Sequence, residues 1–213
     1  MQLITHPLDT KYAIESRQSA LKIFLAEKAF LDQMKISNGT CLVIDQFYGN
    51  SFSPIPKQIG LLGAYWYQFW NKTDYALIAY SVQHLLTFVQ ALDQWLKVFE
   101  NYSNNTELNA LIAPIKKHIT QLDCLRVDSK DLKKDPQAVL ELGYFFYYQY
   151  KAQLKNLQNH FYVVDAYYSM ATAIQEYGFN FPEWVDQSSP MIEFEDAVHP
   201  LVTNAVGNNL SLT

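Results

Sequence analysis

Residues that punctuate a chain are scarce here: 213 residues contain seven glycines and eight prolines. That scarcity excludes a turn-dense all-β fold and favours long helices. Cysteine is rarer still. Cys41 and Cys124 have neither metal-ligand spacing nor a partner motif, which excludes a disulfide framework and fits a reducing compartment. Positive charge is also short, with 16 Lys and Arg against 21 Asp and Glu, a net charge of −5. A general electrostatic grip on nucleic acid would show as a basic stripe. The one basic cluster, Lys130 to Lys134, is interrupted by Asp131 and followed by Asp135, and it reads as a solvated loop.

The first residues lack a basic stretch followed by an apolar run, so no signal peptide is expected. The longest charge-free segment, between Tyr75 and Leu92, contains Ser81, Gln83, His84, Thr87 and Gln90. It would make a poor membrane span, and a cytoplasmic protein without membrane contact is expected. Catalytic signatures are missing as well. There is no Gly-x-Ser-x-Gly, no His-Glu-x-x-His, no Cys-x-x-Cys and no complete phosphate loop, and the histidines at 6, 84, 118, 160 and 199 are scattered. The chain is not expected to be an enzyme on its own.

What is present is apolar and aromatic. Hydrophobic residues make up 49% and aromatics 15%, against 17% charged, the balance of a folded domain with a large core. Asp9 or Thr10 can cap a first helix to about Lys35, with Ile14, Leu21, Phe24 and Leu25 on one stripe. Ser37-Asn38-Gly39 breaks it, and Asp45 and Tyr48 fall in a short helix before a proline-bracketed turn from Ser51 to Pro56. A long helical region runs from about Leu61 to Asn101, broken near Asn71. Val82, Leu85, Leu86, Val89, Leu92, Leu96 and Phe99 keep helical spacing through it.

Thr106 is expected to cap a shorter helix to about Leu122, bent at Pro114, and a polar loop follows from Asp123 to Lys134. Asp135-Pro136 opens a second long helix that can run to Tyr177, with Gly178 as its stop. Phe181 to Pro190 is a linker, and strand character begins at Met191. The expected class is mainly α: two long antiparallel helices braced by shorter ones, then a short β-containing tail. The expected division is 1–180 helical and 181–213 tail.

Three separated patches carry a family resemblance. The first is His6-Pro7-Leu8-Asp9, then Ile14 and Arg17-Gln18. The second is Val164-Asp165-Ala166-Tyr167-Tyr168-Ser169-Met170-Ala171 through Glu176-Tyr177-Gly178 to Phe181-Pro182-Glu183. The third is Asp196-Ala197-Val198-His199-Pro200-Leu201-Val202, closing on Asn208-Asn209-Leu210-Ser211-Leu212. In this order they resemble the core, or lever, domain of the MutS family of DNA mismatch repair ATPases and the stretch ahead of its Walker A loop. Only Ser103 to Asp135 separates the two long helices, which leaves no room for the inserted clamp of full family members. The resemblance therefore points to the reduced, clamp-less branch, with the ATPase domain expected beyond Thr213.

Several properties follow from that resemblance alone. The full-length protein would bind ATP and Mg and would act on DNA as a homodimer, with this chain docked on its own ATPase domain. His199, Pro200, Val206 and Asn208 would stand beside the nucleotide, and Ala205 would occupy the place where many relatives stack an aromatic on the base. Read without the family, His199-Pro200 is a locally satisfied turn. Glu195, Asp196 and His199 do not share a face on a strand, so no metal is expected there. Asp165 reads as structural, and the run Tyr144 to Tyr148 with Tyr150 reads as packing between helices. The alternative overall reading is a free-standing helical scaffold that binds a protein partner through aromatic helix faces.

Overall fold

The computed structural model describes residues 8–33, 36–122, 127, 132, 134–185, 189, 191–199, 202 and 204–212. It is about 70% helical, with a single two-stranded sheet among the described residues. The helices are α1 (Lys11–Ala26), α2 (Lys28–Gln33), α3 (Asn38–Gly49), α4 (Leu61–Trp70), α5 (Lys72–Phe99), α6 (Thr106–Ile119), α7 (Pro136–Tyr144) and α8 (Lys151–Tyr177). The strands are β1 (Ile192–Ala197) and β2 (Asn208–Leu212). The mainly α class with a short β tail is the class that periodicity and composition indicate.

Local chemistry sets most of the helix ends. Thr10 caps α1 by accepting from the Ala13 N–H at 3.2 Å, and Ser37 caps α3 by accepting from the Thr40 N–H at 3.1 Å. Asp135 caps α7 with Pro136 in its first turn, and Gly178 ends α8 at φ +65°. The cap of α6 is Asn105, whose Oδ1 accepts from the Leu108 N–H at 2.9 Å, one residue before the expected Thr106. Pro114 lies inside α6, which runs through it.

The expected first helix is divided in two. Glu27 turns between α1 and α2 at φ −93° and ψ 4°, and its carboxylate accepts the Tyr102 hydroxyl. The second long helix is interrupted as well. Phe145–Gln149 widens into a π-turn, and the Tyr150 N–H donates to the Phe145 carbonyl at 2.9 Å. Four rings crowd this segment, and the Phe146 carbonyl accepts the Tyr48 hydroxyl at 3.0 Å. The expected loop at Asp123–Lys134, with its basic cluster, falls largely outside the described residues.

The two long helices, α5 and α8, run in the same direction, not antiparallel as expected. Phe88 meets Phe161 at 5.4 Å and, further along both helices, Trp95 meets Tyr168 at 5.9 Å. The antiparallel return is made by α6: Tyr150, at the start of α8, reaches the His118 carbonyl, while Tyr167 reaches Glu107 at the other end. An intervening helix that doubles back restores the original direction, which the distance between two long helices in sequence does not reveal.

The core of the helical unit lies along α5, with Ile78, Val82, Leu85, Leu86, Phe88, Val89 and Phe99 fully or almost fully buried. Phe24 of α1 ties it together, 5.0 Å from the Phe99 ring and 5.8 Å from that of Tyr167. The helix from Lys72 to Tyr102 is long and apolar enough to cross a membrane, yet half of its most apolar window is buried in the fold. That is also what a core helix does, and the structure is compatible with a soluble protein. The chain divides between Ala171 and Thr172 into two compact units, a boundary within the last turns of α8.

Candidate functional site

The residues expected beside a nucleotide lie in and around the connection between β1 and β2. The strands pair antiparallel, Ile192 opposite Leu212 and Phe194 opposite Leu210, and the register shifts between Phe194 and Ala197. At that irregularity Asp196 takes φ +52°, its N–H donates to Asn209 Oδ1 at 2.8 Å, and its carboxylate lies against Gly207. A side chain at position 207 would meet that carboxylate, which would have to turn aside to admit it.

His199 is exposed, and its carbonyl accepts from the Val202 N–H at 3.0 Å, closing a turn. Pro200 itself lies outside the described residues. Asn208 opens β2, and its side-chain amide donates to the Val206 carbonyl at 3.1 Å. Val206 is 82% exposed. The hairpin therefore brings His199, Val206 and Asn208 onto one connection with short, local hydrogen bonds. Every residue of β1 and β2 is exposed, including Ile192, Phe194, Leu210 and Leu212.

Elsewhere several titratable groups have structural partners. Cys41 of α3 is buried, and burial pushes its thiol up; the Tyr162 hydroxyl, donating to the sulfur, pulls in the other direction, and Asp165 and Asp45 add to the rise. A thiol raised in this way is a poor nucleophile. Tyr162 is itself pushed up to about 12, first by burial and then by Cys41 and Asp45. This seam between α3 and α8 continues to Gln158, fully buried, whose Nε2 donates to Asp45 at 3.4 Å. Asp165 stands close enough to this seam to act on both Cys41 and Tyr162.

Sequence spacing did not connect His118 with His160. His118 is held below the ordinary imidazole range by burial, with His160 and Lys117 adding to the effect. The tyrosine run serves packing: Phe146 is buried, Tyr150 donates to the His118 carbonyl at 2.9 Å, and Tyr147 donates to the Asn50 carbonyl at 2.8 Å. Among the described residues no three His, Cys, Asp or Glu side chains converge to hold a metal. An open groove of about 270 Å³ beside α1 is lined by Tyr12, Glu15, Ser19 and Asn105, a set with no cation for a phosphate. No family model, curated protein or solved structure matches the chain.

Proposed function

We propose that this chain is the helical core of a clamp-less MutS-like DNA mismatch repair protein, coupling an ATPase domain to DNA or dimer contacts. The observation that carries the reading is the hairpin. Both strands are exposed along their length, Ile192, Phe194, Leu210 and Leu212 among them. An isolated two-stranded sheet is marginal in water, and such strands ordinarily belong to a larger one. In this reading the ATPase domain supplies that larger sheet and continues from Asn208–Leu212 into its phosphate loop.

Under the same proposal His199, Pro200, Val206 and Asn208 adjoin the nucleotide, while ATP and Mg are held by the ATPase domain and the core is not itself an enzyme. The stiffness of a lever comes from the long helices α5 and α8, which share one aromatic core and can move as a body. The protein would work in the cytoplasm.

The coding sequence beyond Thr213 tests the proposal. A Gly-x-x-x-x-Gly-Lys-Ser/Thr motif within about the next dozen codons is the expected result. A stop codon or an unrelated continuation removes the grounds for ATP and DNA together. A specific observation favours the second reading, an interaction scaffold: α4 carries its aromatic residues on the outside. Hydrogen exchange separates the two, because a sheet that awaits its domain exchanges quickly from Ile192 to Leu212, whereas a self-sufficient scaffold protects it.

A further inference from the structure

The helix α4, Leu-Leu-Gly-Ala-Tyr-Trp-Tyr-Gln-Phe-Trp, is amphipathic in reverse. At 100° per residue, Leu61, Leu62, Tyr65, Trp66, Phe69 and Trp70 cover one half of its circumference and Gly63, Ala64, Tyr67 and Gln68 the other. The small half faces inward. Ala64 is fully buried and α4 packs on α7, while the Tyr67 hydroxyl donates to the Ser53 carbonyl at 3.0 Å. The large half faces solvent, with Leu62 79%, Trp66 62%, Phe69 74% and Trp70 71% exposed. Trp66 and Trp70 stack at 6.4 Å with their planes 10° apart, and Phe69 meets Trp70 edge-on at 5.6 Å.

Together the six outward side chains offer on the order of 800 Å² of apolar surface, the share each partner contributes to a stable interface of standard size. The largest patch on a typical monomer is only about 300–600 Å². We infer that this face is a self-association surface and that its occupant is the same face of a second copy of the chain.

Charge favours a second copy. Leu61–Trp70 contains no ionisable group except the Tyr65 and Tyr67 phenols, neutral at pH 7, so a two-fold axis through it opposes no like charges. A protein with net charge −5 repels itself over most of its surface, and least across a neutral face. The residues also match the centre of an interface, where Trp, Tyr and Phe are enriched and charge is depleted. A bilayer surface fits less well: interfacial helices set Lys or Arg around the apolar face, and this helix has none. The inference stands on the helical unit alone and does not depend on the MutS-like reading.

Sedimentation velocity of the 213-residue chain, with a reductant present and from about 1 to about 100 μM, is the test. The expected result is a species of twice 24.7 kDa. Trp66→Glu and Phe69→Glu should each weaken association by roughly 30-fold or more, the scale of an aromatic anchor at an interface centre. Far-UV circular dichroism should stay unchanged, because these side chains leave the core untouched. Trp70→Gln, a milder change, should act in the same direction. A monomer throughout the range overturns the inference, and so does a dimer that persists in all three variants. A monomer that floats with phosphatidylcholine vesicles and loses that property in Trp66→Glu overturns it in favour of a lipid surface.

Discussion

Replacing Gly143 with alanine probes the closest approach between α7 and α5. A Cβ at this position would stand 2.6 Å from Ile78 Cγ2 and 3.8 Å from Val82 Cγ2, where carbon atoms prefer about 3.5–4.0 Å. Ile78 is fully buried and branched at Cβ, so its methyl group cannot swing aside without a change of rotamer. Alanine gains about 1 kcal/mol of helix propensity over glycine, against roughly 1–3 kcal/mol for overpacking a full core. The expected net effect is a destabilisation of up to about 2 kcal/mol. Ile78→Ala alone should cost about 2–5 kcal/mol.

In the double variant the clash is gone, the propensity gain returns and the new methyl group fills part of the cavity. Gly143→Ala should then stabilise, giving a coupling of at least about 1 kcal/mol. Equilibrium unfolding in urea reads this directly, provided that m stays constant. Additivity within about 0.5 kcal/mol, or a stabilising Gly143→Ala in the unaltered background, would refute the packing argument.

Gln158→Met should raise stability by about 1 kcal/mol in the same assay, because the buried Oε1 has no partner among the described residues and Nε2 has only a 3.4 Å bond to Asp45. Tyr167 is pushed up to about 12 by burial and by its hydrogen bond to Glu107, and Tyr67 is likewise pushed up to about 12. The unfolded chain loses these protons first, near pH 10. Stability is therefore fully present below pH 10 and falls between 10 and about 12, by up to roughly 1.4 kcal/mol per pH unit for each tyrosine. Thermal melts from pH 8 to 12 should show that slope, and Tyr167→Phe should flatten it.

Helix α5 was legible in the sequence because its apolar residues keep one period and its other face is polar, so pattern and burial agree. Asp135-Pro136 and Gly178 were legible because proline and a left-handed glycine each have a specific use at a helix end. Apolar spacing also makes α4 a helix, but it does not say which side faces the core; the burial of Ala64 and the outward placing of Trp66, Phe69 and Trp70 are seen only in the fold. The break at Phe145–Gln149 was hidden because aromatic residues are compatible with a continuing helix, and the Tyr48 hydroxyl that meets the Phe146 carbonyl there is remote in sequence. The relative direction of α5 and α8 was misread because it depends on where α6 lies. The seam joining Cys41, Asp45, Gln158 and Tyr162 could not be read either, because it is made only by the packing of α3 on α8.

The widened turn at Phe145–Gln149 also sets a phase. One extra residue in a helix rotates everything after it by about 100°. Tyr167 and Tyr168 lie beyond that turn on α8, and their hydroxyls end on Glu107 and Asp32, carboxylates carried by two other helices. The wide turn, closed by the Tyr150 N–H on the Phe145 carbonyl, takes up one residue within a single turn, so the far half keeps the phase that sets both hydroxyls on their acceptors. The local irregularity thus confines one surplus residue to a single turn and keeps the far half of the helix in step with the rest of the molecule.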